Sequence, residues 1–171
     1  MKRIFLISEE TLKTETIIND NMGSEYIGPA IETSQDIYLH QLIGSELLDK
    51  LYNLIETDTI NNEENAKYKL LLDEYITNYL KFKVLSEITI PLAYKYRNNG
   101  VVQISGNNIT NTSMRDAGLV QNHYDLRANF YANRLSSYLC ANAGDFPEYG
   151  RRRDSADIQA NKDAYETNWV L

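Results

Sequence analysis

The chain has 171 residues and sets 24 Asp+Glu against 17 Lys+Arg, a formal charge of −7 at neutral pH. That length is one domain, or one domain plus a tail, and surface scaling lets it bury about 70% of its unfolded area without disulfides or a structural metal. The acidic balance argues against a surface that wraps nucleic acid or anionic lipid as a whole, since phosphate binding needs concentrated positive charge; a local basic patch stays open. The lone cysteine, Cys140, excludes an internal disulfide framework and a cysteine-based zinc site.

No apolar run approaches the roughly 18 residues of a membrane helix. Met1-Lys2-Arg3 has the charges of a signal peptide, but the apolar run after it is short and Glu9-Glu10 follow at once. The expectation is a soluble protein of a reducing cytoplasm with no membrane partner. Tyrosine is abundant, at 13 residues against 4 Phe and 1 Trp.

Ser8, with Glu9 and Glu10 behind it, predicts an N-cap and a short helix through about Ile18. Gly23-Ser24 is a break, and Gly28-Pro29 predicts entry to the next helix, with proline at its first position. Ile31, Ser34, Ile37, Tyr38, Leu42 and Ile43 keep helical spacing until Gly44. Leu47, Leu48, Leu51, Leu54 and Ile55 resume it from Ser45 to about Glu56, so two helices joined by one glycine turn are expected.

Asn61-Asn62-Glu63-Glu64 predicts the cap of the longest helix, whose apolar arc is wide enough to meet neighbours on more than one side. Pro91 predicts its kink or end, with helical residues persisting to Tyr96. No residue between Arg97 and Arg115 is charged; Val101–Ile104 and Ile109–Thr112 flank Gly106-Asn107 and read as a small hairpin or ordered loop. Ser113-x-x-Asp116 resembles a capping box and opens the last long helix. Leu119, His123, Leu126 and Phe130 share one of its faces, and Gly144 and Pro147 stop it. The fold class expected is mainly α: a bundle of about four to five helices over residues 1–143, a short β-hairpin or loop insertion at about 97–114, and an extended C-terminal arm over 144–171.

Catalytic chemistry is hard to assemble from these residues, and no cofactor or metal site is expected. His40 and His123 stand on different predicted helices, and Asp36 with His40 at i, i+4 lacks the second ligand pair that a zinc helix needs, so hydrogen bonding on the helix surface is the favoured reading. No P-loop, nucleophile elbow or dinucleotide fingerprint occurs. A helix-turn-helix over 35–55 would read DNA with a helix carrying Glu46, Asp49 and Glu56 against Lys50 alone, which phosphates repel; a core-packing αα-hairpin is favoured. The sequons Asn108-Ile109-Thr110 and Asn111-Thr112-Ser113 are read as chance in an Asn-rich loop.

Tyr68, Tyr75 and Tyr79 form a stripe that suits a core edge and a subunit interface about equally. The arm interleaves Phe146, Tyr149 and Trp169 with Arg151-Arg152-Arg153, the residue types that anchor a segment ordering on a partner.

Ile31-x-x-Ser34-Gln35-x-x-Tyr38-Leu39-x-x-Leu42-Ile43-Gly44-x-x-Leu47-Leu48-x-x-Leu51 resembles the N-terminal part of the tailed-phage head–tail connector (adaptor) family, above all its members from crAss-like phages. The order of parts also fits, and Phe146-Pro147-Glu148-Tyr149 is similar to a recurring feature after the last helix of that group; the resemblance covers most of residues 24–150 and no part of the arm beyond Gly150. It implies a non-enzymatic virion protein, made in the host cytoplasm and built into the neck as a ring of twelve copies under the portal. DNA would pass through that ring without sequence-specific binding, and other neck or tail ring proteins would stack against it. On this reading Phe146, Tyr149, Arg151, Arg152, Arg153 and Trp169 bind the portal or a neighbour. Tyr68, Tyr75 and Tyr79 serve the subunit interface. Asn99, Gln103, Asn107 and Asn108 face the channel or the next ring. The alternatives are another ring of the neck, a head-completion stopper or tail terminator, and, from a different class, a small helical DNA-binding regulator using the arginine triplet.

Overall fold

Ser8 caps the first helix where the sequence places it: its Oγ accepts a hydrogen bond from the Thr11 amide at 3.0 Å, with Glu9 and Glu10 in the first turn of α1 (Glu9–Glu15). A computed structural model describes residues 4–97, 100–103, 113–149 and 158–160, of which 95–97 and 100–103 by backbone alone. The described residues are mainly helical, with one small hairpin.

Helix α2 (Ser24–Thr33) starts four residues before the Gly28-Pro29 entry expected from the sequence, and Pro29 lies inside it. The turn before the proline is held by packing: Ile27 is fully buried, with Ala30 and Ile31 buried one turn on, while Pro29 itself faces solvent. A π-turn (Ser34–Leu39) carries the helix into α3 (His40–Ile43). Gly44 then breaks it at φ +78°, a backbone conformation natural only to glycine, and α4 (Ser45–Glu56) turns back with Leu47, Leu48, Leu51 and Leu54 buried.

The π-turn also buries Gln35, which ties three segments together. Its Oε1 accepts from the Leu6 amide at 2.7 Å, and its Nε2 donates to the Ile4 carbonyl and to Tyr52 Oη, both at 3.2 Å. A buried amide so fully partnered stabilises the N-terminal segment against α4.

A 3-10 turn (Glu63–Asn65) leads into α5 (Ala66–Leu70), a second π-turn (Leu71–Ile76) and α6 (Thr77–Ala93), which continue one another as a single long rod. Pro91 lies in its last turn, and the helix stops at Ala93 instead of reaching Tyr96. Residues 94–97 form strand β1 (Tyr94–Arg97), antiparallel to β2 (Gly100–Gln103) with Tyr94 opposite Gln103 and Arg97 opposite Gly100. The first strand of the hairpin is therefore the stretch read as helix; residues 98–99 and 104–112, with the expected turn at Gly106-Asn107, lie outside the described residues.

Ser113 caps α7 (Met114–Ala141) by the predicted box: its Oγ accepts from the Asp116 amide at 3.1 Å and donates to Asp116 Oδ2 at 2.7 Å. Helix α7 runs antiparallel to the long rod, and aromatic rings mark the seam. Tyr68 meets Phe146 edge-on at 5.5 Å, Tyr75 stacks on Tyr138 at 4.0 Å, and Phe82 stacks on Tyr131 at 5.3 Å between centroids. Tyr68, Tyr75 and Phe82 stand seven residues apart, two turns of helix, so they recur on one face. After α7 the chain folds back: Phe146 is fully buried and Tyr149 nearly so, which carries the packed core to Tyr149 rather than ending it at residue 143.

Candidate interaction surface

Helix α7 packs one side on the long rod and leaves another bare. Ala128, Ala132, Leu135 and Leu139 are buried, whereas Leu119, Leu126 and Phe130 are 61%, 63% and 64% exposed, with Val120 and Met114 also open to solvent. The sequence groups Leu119, His123, Leu126 and Phe130 correctly on one face; that face points outward. Their spacing of four, three and four residues is that of a coiled-coil seam and spans about 16 Å of helix. Scattered exposed leucines are ordinary, but a contiguous apolar stripe on a helix marks a contact surface. Beside it, Phe82, His123, Leu126, Arg127, Phe130 and Tyr131 line an open groove of about 470 Å³.

Arginines rim the stripe. Arg115, Arg127 and Arg134 are exposed and form no ion pair among the described residues. Arg127 lies over the Phe82 ring at 5.8 Å and Arg134 over Tyr75 at 5.1 Å, which orients both guanidinium groups along the seam.

The packed side of α7 carries a buried charge. Lys83 Nζ contacts Glu87 Oε1 and Asp125 Oδ1, each at 2.9 Å, and sits 3.6 Å from the centre of the Tyr38 ring. Burial pulls the Lys83 ammonium down, and the hydrogen bonds to Glu87 and Asp125 outweigh it, so its pKa is raised. Ser86 Oγ donates to the same Asp125 oxygen at 2.8 Å. Two residues earlier, about 200° round the helix, Lys81 pairs with Glu15 of α1. Helices α1 and α7 thus lie against opposite flanks of α6.

At the far end of the chain, Ile158 to Ala160 sit on the α3–α4 turn. The Ser45 amide donates to the Ile158 carbonyl at 3.0 Å, and the Ile158 amide donates to Ser45 Oγ at 3.2 Å. Ser45 Oγ also shares a 2.8 Å hydrogen bond with His40 Nε2, so His40 is engaged with its own hairpin. Ala160 is buried, and a Cβ on Gly44 would lie 3.0 Å from its nitrogen.

A family model for DUF6712, a family of unknown function, matches residues 39–157, more than half of the chain. The chain belongs to the DUF6712 family. The matched span takes in the α3–α4 hairpin, the aromatic seam and the apolar stripe of α7. No curated protein and no solved structure matches the chain.

In this DUF6712 chain, Tyr68, Tyr75 and Tyr79 all point into the protein's own packing. Tyr68 Oη donates to the Glu148 carboxylate at 3.0 Å, and burial with that bond pushes its pKa up to about 12. Tyr79 is 4% exposed and burial raises its pKa further, while Tyr75 is half-buried against Tyr138. Phe146 and Tyr149, expected as anchors for a partner, are likewise taken up internally. Phe146 fills the space beside Tyr68 and Tyr138, and Tyr149 Oη lies 3.8 Å from Cys140 Sγ, with burial raising its pKa. Arg151, Arg152, Arg153, Trp169, Asn99, Asn107 and Asn108 lie outside the described residues, and Gln103 is placed by its backbone as the β2 residue opposite Tyr94. Sequence reasoning missed the seat of residues 158–160 on Gly44; the only local signal is a glycine followed by serine, which many helix breaks share. Among the described residues no three His, Cys, Asp or Glu side chains gather as a metal-binding set, and no helix is long and apolar enough to cross a membrane.

Proposed function

We propose that this DUF6712 chain is a structural subunit of a tailed-phage neck: an adaptor in a ring of twelve below the portal, extending the DNA channel and joining head to tail. The observation that carries the reading is the apolar stripe of α7, 61–64% exposed at Leu119, Leu126 and Phe130 on a helix whose other side is fully packed. A subunit that works alone gains nothing from such a face, whereas a ring subunit uses it. The connector-like sequence pattern over residues 31–51 supports the same role, and a net charge of −7 suits a wall past which DNA slides without sticking.

In this role the helical core sets lateral contacts, the segment carrying Asn99, Gln103, Asn107 and Asn108 faces the channel or an adjoining ring, and the arm after Tyr149 reaches the portal. Arg151, Arg152, Arg153 and Trp169 remain its candidate anchors; Phe146 and Tyr149 hold the root of the arm to the core. The role is non-enzymatic and virion-borne.

Electron microscopy of virions from the phage encoding the chain, with the protein gold-labelled, tests this. Label at the portal vertex is the expected result, and truncation after Ala160 is expected to abolish head–tail joining with the helical circular dichroism intact. Absence of the protein from purified virions would overturn the proposal.

A further inference from the structure

We infer that residues 161–171 lie across the α7 stripe of the same molecule, with Trp169 seated in the groove beside Phe130. The contact goes beyond the neck role and does not depend on it; only its release on assembly rests on that role.

The groove sets what it accepts. Its walls are the rings of Phe82, His123, Phe130 and Tyr131 with the Leu126 side chain, and Arg127 reaches over Phe82. Its volume of about 470 Å³ falls within the roughly 300–1,000 Å³ of ordinary ligand pockets. Walls of this kind favour a flat aromatic ring, which packs on their faces and edges and lies well against a guanidinium. The rim is cationic, because Arg127 and Arg134 are exposed and have no ion pair among the described residues. A fitting occupant is therefore aromatic and carries carboxylates. Residues 161–171 hold Tyr165 and Trp169, the only tryptophan of the chain, together with Val170 and Leu171, and set Asp163 and Glu166 against Lys162 alone.

Reach and tethering choose the molecule. Residues 158–160 are fixed on the α3–α4 turn, and α3 packs on α7. Tyr38, six residues before Gly44 and so about 9 Å back along the helix, holds its ring 3.6 Å from the Lys83 ammonium, which bonds Asp125 of α7 at 2.9 Å. Leu126 is the next residue. The segment thus starts beside α7, and Trp169, nine residues past Ala160, reaches up to about 30 Å from it. Measured from Tyr149 the same tether would be 20 residues, and effective concentration falls as a flexible tether lengthens. A short tether gives an effective concentration on the order of millimolar, which a second copy meets only when the protein itself is that concentrated. In a neck subunit, stripe and arm would occupy each other until the portal or a neighbouring subunit takes them.

Fluorescence of the full chain tests it, since all tryptophan emission comes from Trp169. Wild type is expected to emit to the blue of free tryptophan and to resist quenching by acrylamide. L126D with F130D, which spoils the groove, is expected to lose the blue shift and to be quenched several-fold more efficiently. Its circular dichroism is expected to be unchanged, since both side chains are more than 60% exposed. I17D, an exposed substitution on the far side of the molecule, is expected to leave the emission as in wild type. Mixing the double variant with a W169F chain, which offers an intact stripe, is expected to leave the emission at its solvent value. Solvent-like emission from wild type, or a blue shift that survives in the double variant, overturns the inference. A blue shift restored by mixing places the segment on a second copy and overturns it as well. None of these readings depends on virion incorporation, so the labelling experiment fails or succeeds separately.

Discussion

Lys83 Nζ lies 2.9 Å from Asp125 Oδ1, an ion pair at the centre of the α6–α7 contact, with Glu87 on the same ammonium and the Tyr38 ring against it. Lys83 is 7% exposed, so its loss would leave a mostly buried Glu87 facing a partly exposed Asp125 with no cation between them. Lys83→Met is expected to cost about 3 kcal/mol, the usual penalty for stranding the partner of a buried charge. Asp125→Asn keeps Glu87 on the lysine and is expected to cost about half as much. Urea unfolding followed by circular dichroism measures both; equal stability of the methionine variant and wild type would mean that the pair adds nothing to the helix contact.

Alkali is expected to unfold the protein sooner than acid-sensitive groups would suggest. Tyr68, Tyr79 and Tyr149 have pKa values raised chiefly by burial, and that of Lys83 is also raised. For a group whose folded pKa exceeds its unfolded one, the stabilisation is complete below the unfolded value and is lost as pH rises through the folded value. Stability is therefore expected to hold to about pH 10, the ordinary tyrosine value, and to fall above it. Tyr68→Phe removes the hydrogen bond to Glu148, costing about 1 kcal/mol at neutral pH, and is expected to make the alkaline decline shallower. Chemical denaturation at a series of pH values, with tyrosinate absorbance as the second probe, reads both effects; an alkaline slope unchanged in the phenylalanine variant would remove Tyr68 from the account.

Gly44→Ala strikes two features at once. The φ of +78° disfavours any side chain, at about 1–3 kcal/mol, and the new methyl would meet the Ala160 nitrogen. The expected result is lower stability together with faster hydrogen exchange at the Ser45 amide, whose acceptor is the Ile158 carbonyl. Lower stability with unchanged exchange at Ser45 would mean that the backbone alone, and not the seated segment, bears the cost.

Ser136 presents the opposite case. It is fully buried on the packed side of α7, and its hydroxyl has no hydrogen-bond partner among the described residues. Ser136→Ala deletes the orphaned group and improves helix propensity, so thermal unfolding is expected to show a gain of about 1 kcal/mol. A loss would point to a partner for the hydroxyl.

The parts legible in the sequence are those governed by neighbours along the chain. Ser8 and Ser113 announce their helices because a cap bonds three residues ahead. Gly44 announces its break because a positive φ belongs to glycine. What misled was long-range. Tyr94 to Arg97 follow a helix and read as its continuation, yet they pair as a strand with residues 100–103. Pro29 signals a helix start by local rules, but Ile27 is already buried in the preceding turn. The two π-turns each add one residue to a helical repeat, which blurs periodicity without leaving a residue-type mark. The α7 stripe shows the limit most plainly: spacing says that Leu119, Leu126 and Phe130 share a face, and only the packed fold says that this face is exposed among the described residues.

The seat at Ser45 joins residues 113 positions apart. Closing so long a loop costs only logarithmically more entropy than closing a short one, but it slows the search for the contact. Synthesis adds the same delay, because Ile158 is made 113 residues after Ser45. The nascent chain therefore carries Gly44 and Ser45 uncovered until residues 158–160 emerge, and that segment acts as a late fastener that closes over a hairpin already formed.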